Sequence, residues 1–285
     1  MNITLLSNRD LASCVALNHL LPALSAHRVT VFLSSQVGKS AGNSAGKTNS
    51  ERRRPESLDT LTFYEQTLVN DIVFPLCDRI GGTVRSLLTF KGLETFLAAP
   101  IEELNDINAA GLPRFAATTP DLVLSIRYGV ILREEAIGVP TLGVINLHSG
   151  RLPDYKGVMA SFRAMLNGDA ELNMTLHTID DSGIDTGRIL AMSSFAVDRQ
   201  KSYLWHVLGL YEGGCQLLAE TVNALGEGER PEGIEQAALE NAGNYFTFPT
   251  STWSTFDGHH LDLYNSKIFT IKLSELIKEN NPTHE

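Results

Sequence analysis

The N-terminal strand-helix-strand pattern constrains the fold more than any other feature of the chain. Apolar runs over residues 2–6 and 28–33 predict two strands, and apolar side chains at helical spacing over residues 11–22 predict a helix between them. Two strands joined by a helix over so short a distance are typical of a parallel sheet in an α/β fold, because a crossover helix connects neighbouring parallel strands. Ser7 and Asn8 are the expected N-cap residues of this helix.

The pattern of strands and helices continues to about residue 225. Apolar runs predict further strands at 85–90, 122–128, 143–148, 174–179 and 189–197. Helical spacing and capping signals predict helices at 61–79, 100–110, 158–166, 202–225 and 273–279. The Gly- and Ser-rich residues 34–57 are expected to form a surface loop. We therefore expect residues 1–225 to form the main domain, an α/β fold with a Rossmann-like, mostly parallel sheet and helices on both faces. Residues 226–285 are expected to form a small C-terminal extension.

Charge and cysteine content argue against several classes of partner. The 285-residue chain carries a formal net charge of −10, whereas proteins that bind the phosphate backbone of nucleic acids are usually basic. Its three cysteines, Cys14, Cys77 and Cys215, include no C-x-x-C pair, so neither a zinc site nor a disulfide framework is expected. No apolar run is long enough to span a membrane, and the first residues do not resemble a signal peptide. We expect a cytoplasmic protein without a metal, nucleic-acid or membrane partner, and the oligomeric state stays open.

The residues that carry chemistry follow the predicted strand at 143–148. Asn146 and His148 are two residues apart, so their side chains lie on one face of that strand, and a Pro- and Gly-rich loop follows it. Asp185 comes later, in a Gly-Ile-Asp-Thr-Gly turn. An amide that polarises a carbonyl, an imidazole that handles a proton and a carboxylate that orients the imidazole are suited to acyl transfer onto an amine. Taken singly, a buried His or a turn Asp is more often structural, so the hypothesis requires the three groups to meet.

Four short motifs resemble the signature of the 10-formyltetrahydrofolate-dependent formyltransferases. They are Asn146-Leu-His148, Leu152-Pro153, Tyr155-Lys-Gly157 and Gly183-Ile-Asp185-Thr-Gly187. The family includes glycinamide ribonucleotide, methionyl-tRNA, amino-sugar and hydroxyornithine formyltransferases, and the resemblance covers residues 122–190. It implies that residues 1–225 form the catalytic domain, that Asn146, His148 and Asp185 are catalytic, and that 10-formyltetrahydrofolate is the co-substrate.

The same resemblance implies which residues line the two substrate sites. Candidate folate contacts are Tyr128, Gly129, Val130, Leu132, Ile179 and Asp181. Candidate contacts to the amine acceptor are Arg127, Ser149 and Met159. For Val130 and Leu132, ordinary packing in the core is an equal alternative.

Departures from the family pattern narrow the expected acceptor. The loop after His148 reads Ser-Gly-Arg-Leu-Pro where the family usually has Pro-Ser-Leu-Leu-Pro or Gly-Ser-Leu-Leu-Pro, and the loop before Asp185 has one additional residue. The turn after the first strand lacks the Gly-Ser-Asn of the purine enzymes, and the residues after Gly226 do not resemble the basic C-terminal barrel of the tRNA enzymes.

We therefore expect the acceptor to be the amine or hydroxylamine of a small metabolite. N5-hydroxyornithine in siderophore biosynthesis is the first candidate, and a nucleotide-linked amino sugar is the second. A 10-formyltetrahydrofolate hydrolase and a non-catalytic folate-binding protein remain alternatives.

Overall fold

The computed structural model describes residues 1–35, 56–80, 87–239, 243–247, 262–267, 269 and 270. Most of the predicted loop at 34–57 and all of the predicted helix at 273–279 lie outside these ranges.

A seven-stranded sheet forms the centre of the molecule. Its strands are β1 (Asn2–Asn8), β2 (Arg28–Ser34), β3 (Glu102–Glu103), β4 (Leu122–Ile126), β5 (Val144–His148), β7 (Glu171–Thr178) and β8 (Ile189–Ala196). They are ordered β3-β2-β1-β4-β5-β7-β8; the pairs from β3 to β5 are parallel, and β7 pairs antiparallel with both β5 and β8. A separate parallel pair joins β6 (Tyr155–Gly157) to β9 (Asn244–Phe246). This is the predicted Rossmann-like α/β fold, in which the strand order reverses between β1 and β4.

Helices cover the sheet. They are α1 (Leu11–Ala23), α2 (Glu56–Thr62), α3 (Phe74–Ile80), α4 (Phe90–Leu93), α5 (Leu112–Ala116), α6 (Glu134–Ile137), α7 (Ala160–Asn167) and α8 (Tyr203–Gly226). Two wide π-helical turns, Phe63–Thr67 and Val69–Val73, link α2 to α3, and short 3-10 turns lie at Glu94–Phe96 and Gln236–Ala238. Ser202 caps α8 by accepting a hydrogen bond from the backbone N–H of Trp205.

The two faces of the sheet pack into separate cores. The larger core contains the buried faces of α1 and α8, and the smaller one surrounds Phe32, Leu104 and Phe115. Side chains of β5 alternate between the faces, so that Ile145 and Leu147 belong to the larger core. This alternation leaves Asn146 and His148 together on the opposite face, at the carboxyl end of β5.

Two predicted features of the helices need correction. Asp10, not Ser7 or Asn8, caps α1, because its carboxylate accepts a hydrogen bond from the Ser13 N–H at 2.7 Å. The helix predicted at 61–79 exists, but its Ile72 and Leu76 are exposed. The π-helical turns contain more residues per turn than an α-helix, which rotates these side chains out of the predicted apolar stripe.

The strand predicted at 85–90 and the helix predicted at 100–110 are wrong in the described residues. Thr89 caps α4 through a hydrogen bond from Gly92 N–H, so Phe90 begins a helix. Glu102 and Glu103 form the edge strand β3, which pairs with β2, and turns follow. The open edge of β2 and the burial of Leu104 in the smaller core outweigh local helix propensity at this point.

Candidate active site

Polar side chains occupy one face of the β5–β7 pair, at the carboxyl end of β5. Asn146 lies opposite His177, and His148 lies opposite Thr175. These four residues share one face because side chains of paired antiparallel strands alternate together. The candidate site is therefore built on two strands, with only Asp185 supplied by a loop.

Asp185 lies in the loop between β7 and β8, and its carboxylate reaches between two imidazoles. Its Oδ2 atom is 3.5 Å from His148 Nδ1, and its Oδ1 atom is 3.4 Å from His177 Nε2. Oδ2 also accepts a hydrogen bond from the Gly157 N–H at 2.7 Å. The structure thus brings Asn146, His148 and Asp185 into one cluster, with His177 between the amide and the carboxylate.

Burial by itself would raise the pKa of the Asp185 carboxyl. The neighbouring His148 charge, the hydrogen bond and charge of His177 and the Gly157 N–H outweigh that effect and lower the pKa to about 2. Asp185 is therefore ionised at neutral pH although it is largely buried.

Both nitrogens of the His148 ring face hydrogen-bond acceptors. Nε2 is 2.7 Å from the carbonyl oxygen of Tyr155, and Nδ1 faces Asp185. A carbonyl and a carboxylate only accept, so both contacts are satisfied when both ring nitrogens carry hydrogen. The ring also requires Gly150, since a Cβ atom there would lie 2.7 Å from Nε2.

His177 is the member of the cluster that sequence analysis missed. Its Nδ1 atom donates to the Thr178 carbonyl oxygen at 2.8 Å, and its Nε2 atom lies 3.0 Å from Asn146 Nδ2. Nε2 accepts from the Asn146 amide when it carries no hydrogen and donates to Asp185 when it does, so one nitrogen links the two groups. The second amide hydrogen of Asn146 has no partner among the described residues. A signal was present in the sequence: Thr175 and His177 alternate with apolar residues along a strand, on the face of Asn146.

The backbone around Asp185 adopts conformations that side chains normally avoid. Asp185 itself has a left-handed φ of 55°. Gly157, which donates to its carboxylate, has a φ of 91°, and a Cβ atom there would lie 2.2 Å from the Phe246 carbonyl oxygen. Glycine is therefore required at position 157 for the hydrogen bond that holds Asp185.

Arg127, a predicted acceptor contact, follows β4 at the same sheet edge but is already paired. Its Nε atom is 3.0 Å from Asp10 Oδ2, and its Nη2 atom is 3.5 Å from Glu65 Oε1. Asp10 is completely buried and also receives hydrogen bonds from Ser13 N–H and Asn8 Nδ2. Arg127 therefore organises a charged cluster at the point where the strand order reverses, and about a quarter of its side chain is exposed.

The other two predicted acceptor contacts flank this edge. Ser149 is partly buried, and its carbonyl oxygen accepts a hydrogen bond from the Ser161 hydroxyl. Met159 precedes α7 with a left-handed φ of 56° and packs on the larger core. Neither makes a direct contact with the Asp185 cluster in the hydrogen bonds of the described residues.

The predicted folate contacts lie on the smaller core. Tyr128, Val130 and Ile179 pack partly buried against it, whereas Leu132 is a buried member of that core. The neighbouring Ile131 has an exposed side chain and was not predicted. Ile131 is exposed and Val130 and Ile179 are partly exposed, so these three side chains can reach a ligand, whereas Leu132 belongs to the core.

Backbone and turn contacts fix the remaining folate candidates. The Tyr128 hydroxyl donates to the Leu104 carbonyl oxygen at 2.6 Å, and Gly129 N–H donates to Ser34 Oγ at 2.9 Å. Asp181 is exposed and accepts a hydrogen bond from Gly183 N–H, which closes a turn in the loop before Asp185. These contacts shape the two loops that border the cluster.

Two negative findings apply to the ranges described above. No group of three or more His, Cys, Asp or Glu side chains there is arranged to hold a metal ion. No helix in those ranges combines the length and apolar character needed to cross a bilayer.

Comparisons with known proteins identify the family. Residues 62–203, about half of the chain, match the family described as "Formyl transferase". A methionyl-tRNA formyltransferase from Paramagnetospirillum magneticum is 33% identical over 124 residues, which are 44% of this chain and 40% of that relative. Matches to curated relatives span between 25% and 46% of the relatives' length.

Solved structures of formyltransferases share the fold. A 4-N formyltransferase from Francisella tularensis has a TM-score of 0.53 at 12% identity, covering 86% of this chain and 76% of that chain. An N-formyltransferase from Helicobacter canadensis, in complex with folinic acid and dTDP-3-aminofucose, has a TM-score of 0.50 at 16% identity, covering 87% and 71%. With the matched domain and the sequence relatives, the observations agree on one conclusion: the chain belongs to the formyl transferase family.

Proposed function

We propose that this protein is a cytoplasmic N-formyltransferase that moves the formyl group of 10-formyltetrahydrofolate to the amine or hydroxylamine of a small metabolite. The observation that carries this proposal is the ionised Asp185 carboxylate held between His148 and His177, next to Asn146, at the carboxyl end of β5. Membership of the formyl transferase family supports the reaction class.

The donor supplies an activated formyl group when it is bound. The exposed Ile131 side chain and the partly buried Val130 and Ile179 would contact its ring system. Val130 and Ile179 pack on the smaller core, on the face of the sheet that carries Asn146. The Helicobacter relative with bound folinic acid supports a folate ligand for this fold.

Asn146 is suited to stabilise the negative charge that develops on the formyl oxygen. Its second amide hydrogen is available, and one such donor contributes on the order of 3 kcal/mol to transition-state stabilisation. Because both His148 nitrogens already face acceptors, His148 contributes by fixing Asp185 and not by a new hydrogen bond to the formyl oxygen.

Asp185 is suited to take the proton that the acceptor nitrogen loses as it bonds to the formyl carbon. As the bond between the formyl carbon and N10 of the donor breaks, N10 must gain a proton. A carboxylate whose pKa is about 2 binds a proton weakly, so Asp185 would pass the acceptor's proton on to N10 and not retain it. His177 holds the second carboxylate oxygen and keeps this group aligned with Asn146.

The charges around Arg127 limit which groups the acceptor can carry at this position. The N-terminus of a helix that follows the first strand of an open α/β sheet is a common site for a phosphate group. Here Asp10 already fills the N-terminus of α1, and Glu65 adds a second carboxylate beside Arg127. A phosphate at that position would meet negative charge, whereas an ammonium group would be attracted. This favours N5-hydroxyornithine, and hence a role in siderophore biosynthesis.

A nucleotide-linked amino sugar is the second candidate acceptor. The observation in its favour is the Helicobacter relative with bound dTDP-3-aminofucose. The filled N-terminus of α1 does not oppose this candidate if the diphosphate binds elsewhere.

A panel of acceptors tests the proposal. The purified protein is incubated with 10-formyltetrahydrofolate and N5-hydroxyornithine, ornithine, dTDP-3-aminofucose, glycinamide ribonucleotide or no acceptor. Formylated product is followed by mass spectrometry and tetrahydrofolate by absorbance. We expect formylated N5-hydroxyornithine as the main product. Equal tetrahydrofolate release without an acceptor would identify a hydrolase, and folate binding without turnover of any acceptor would identify a binding protein; both results would overturn the proposal.

A further inference from the structure

The loop that carries Asp185 is held from outside by the segment after α8. Gln236, in the short turn Gln236–Ala238, is buried, and its Nε2 atom donates to the carbonyl oxygens of Asp185 at 2.9 Å and Gly187 at 2.8 Å. Both partners can only accept hydrogen bonds, so the orientation of the Gln236 amide is fixed by chemistry. Gln236 thus touches the backbone of the residue whose carboxylate lies between the two histidines.

A second contact joins the same two segments. Ile189 and Ile234 exchange backbone hydrogen bonds of 2.9 and 2.7 Å, which adds a bridge at the start of β8. Gly233 precedes this bridge with a left-handed φ of 59°, and a Cβ atom there would lie 2.9 Å from Leu190 Cδ2. Residues 233–236 therefore pack against the Asp185 loop and its continuation into β8. They contact it through the backbone of Ile234 and the side chain of Gln236.

The loop needs such support because its own conformation is unfavourable. A left-handed φ is unfavourable for a non-glycine residue such as Asp185. On the other side of the loop, Gly187 packs so tightly that a Cβ atom would lie 1.9 Å from the Thr178 carbonyl oxygen. The Gln236 amide bonds the two carbonyls that flank this strained turn, so it favours the one backbone arrangement that aims the carboxylate at His148 and His177.

We propose that Gln236 is a positioning residue for formyl transfer, which fixes the Asp185–Gly187 backbone and thereby the carboxylate of Asp185. The inference rests on the proposed function. If so, residues 233–236 contribute to the active site. They lie beyond the expected domain boundary at 225 and outside the family match at 62–203.

Two substitutions separate hydrogen bonding from packing. Gln236→Glu keeps the size of the side chain but turns its donor into a carboxylate that faces two carbonyl oxygens. Gln236→Met keeps the length without a donor. We expect both to lower kcat by about tenfold to a hundredfold, because a small displacement of a catalytic group has an effect of this size. The KM for 10-formyltetrahydrofolate should change little, and Gln200→Glu, the same change at an exposed turn, should match wild type.

The pH profile gives a readout that a merely structural role would not change. If Asp185 moves away from its partners, its pKa rises, and the acid limb of the kcat profile shifts to higher pH in both Gln236 variants. Thermal melts of the same preparations report folding, and Gln236→Met serves if Gln236→Glu does not fold.

The outcomes keep the two proposals apart. Absence of formyl transfer in the wild-type protein would reject the proposed function. Wild-type turnover together with unchanged kcat and an unchanged acid limb in a folded Gln236 variant would reject the positioning role alone. A loss of melting temperature with normal kcat at a permissive temperature would also reject it.

Discussion

Two buried carboxylates lie at the same edge of the sheet, and their partners differ in kind. Asp10 pairs with the guanidinium of Arg127 and accepts hydrogen bonds from the backbone N–H of Ser13 and the side-chain amide of Asn8. Asp185 faces two imidazoles and a loop N–H, from His148, His177 and Gly157. Both are ion-paired and well hydrogen-bonded, so burial and pairing alone do not distinguish a structural carboxylate from a reactive one.

The difference lies in whether the partners can exchange a proton and whether the backbone is relaxed. Arg127 stays charged at all accessible pH values, so Asp10 has a permanent counter-ion. An imidazole nitrogen can either donate or accept a hydrogen bond, so the Asp185 cluster can relay a proton during a reaction. Asp10 also has an extended backbone, whereas Asp185 is in the left-handed region. Strain and titratable partners together mark Asp185 as the functional group.

The largest expected effect is a loss of turnover when a side chain is removed from the reactive cluster of Asn146, His148, His177 and Asp185. His148→Ala and Asp185→Ala should each lower kcat for formyl transfer by at least about a hundredfold, the scale of general acid-base catalysis. The double variant should lose little more than either single variant, because the two side chains act as one unit. Steady-state kinetics and circular dichroism of each variant measure this. An exposed carboxylate change, Asp71→Asn, is the control, and near-wild-type turnover in a folded single variant would contradict the assignment.

The second effect should appear in stability and not in turnover. Asp10→Asn leaves Arg127 without its buried partner, and breaking such a pair costs about 3 kcal/mol of unfolding free energy. We expect urea denaturation to show this loss while kcat stays close to wild type; any kinetic change should be a higher KM for the acceptor, whose ammonium group this cluster attracts. If kcat instead falls as far as in Asp185→Ala, the distinction between the two carboxylates is wrong.

The two clusters also differ in how far the sequence could predict them. Asn146 and His148 were predictable because a strand alternates its faces over two residues, and that rule is local. The pairing of Arg127 with Asp10 joins residues 117 apart, and Gln236 reaches Asp185 across 51 residues. Periodicity contains no information on contacts of this kind, since they depend on how the strands are ordered in the sheet.

The same limit explains the errors in secondary structure. The segment at residues 100–110 has an acceptable helical pattern, but Glu102 and Glu103 pair with β2, whose edge is open only because of the strand order. The π-helical turns before α3 change the exposed face without changing the residue types. Strands that are buried on both faces, such as β1 and β4, were predicted well because apolar composition alone identifies them.

The pH dependence of stability should separate Asp185 from exposed carboxylates. The folded-state pKa of Asp185 is about 2, below the unfolded value of about 3.9. A lowered pKa stabilises the fold above the unfolded pKa, and this contribution, about 2–3 kcal/mol, disappears as pH falls through the folded pKa. The unfolding free energies of wild type and Asp185→Asn should therefore differ by this amount at pH 7 and converge between about pH 4 and pH 2. Urea titrations measure the gap; a gap that is independent of pH would contradict the charge-based origin.

The smallest expected effect concerns His177, which holds Asp185 from the side of Asn146. His177→Gln should lower kcat by about tenfold, because a residue that orients a catalytic group contributes less than the group itself. Removing this partner also raises the pKa of Asp185, so activity should be lost at a higher pH on the acid side than in wild type.

The matched control is His206→Gln, since His206 is an equally buried histidine. Its ring nitrogens contact the backbone of Ser202, the N-cap of α8, and of Asp198. Its substitution should lower the melting temperature and leave the pH profile unchanged. Identical kinetic profiles for the two variants would mean that His177 is only a core residue, and that the reactive cluster consists of Asn146, His148 and Asp185 alone.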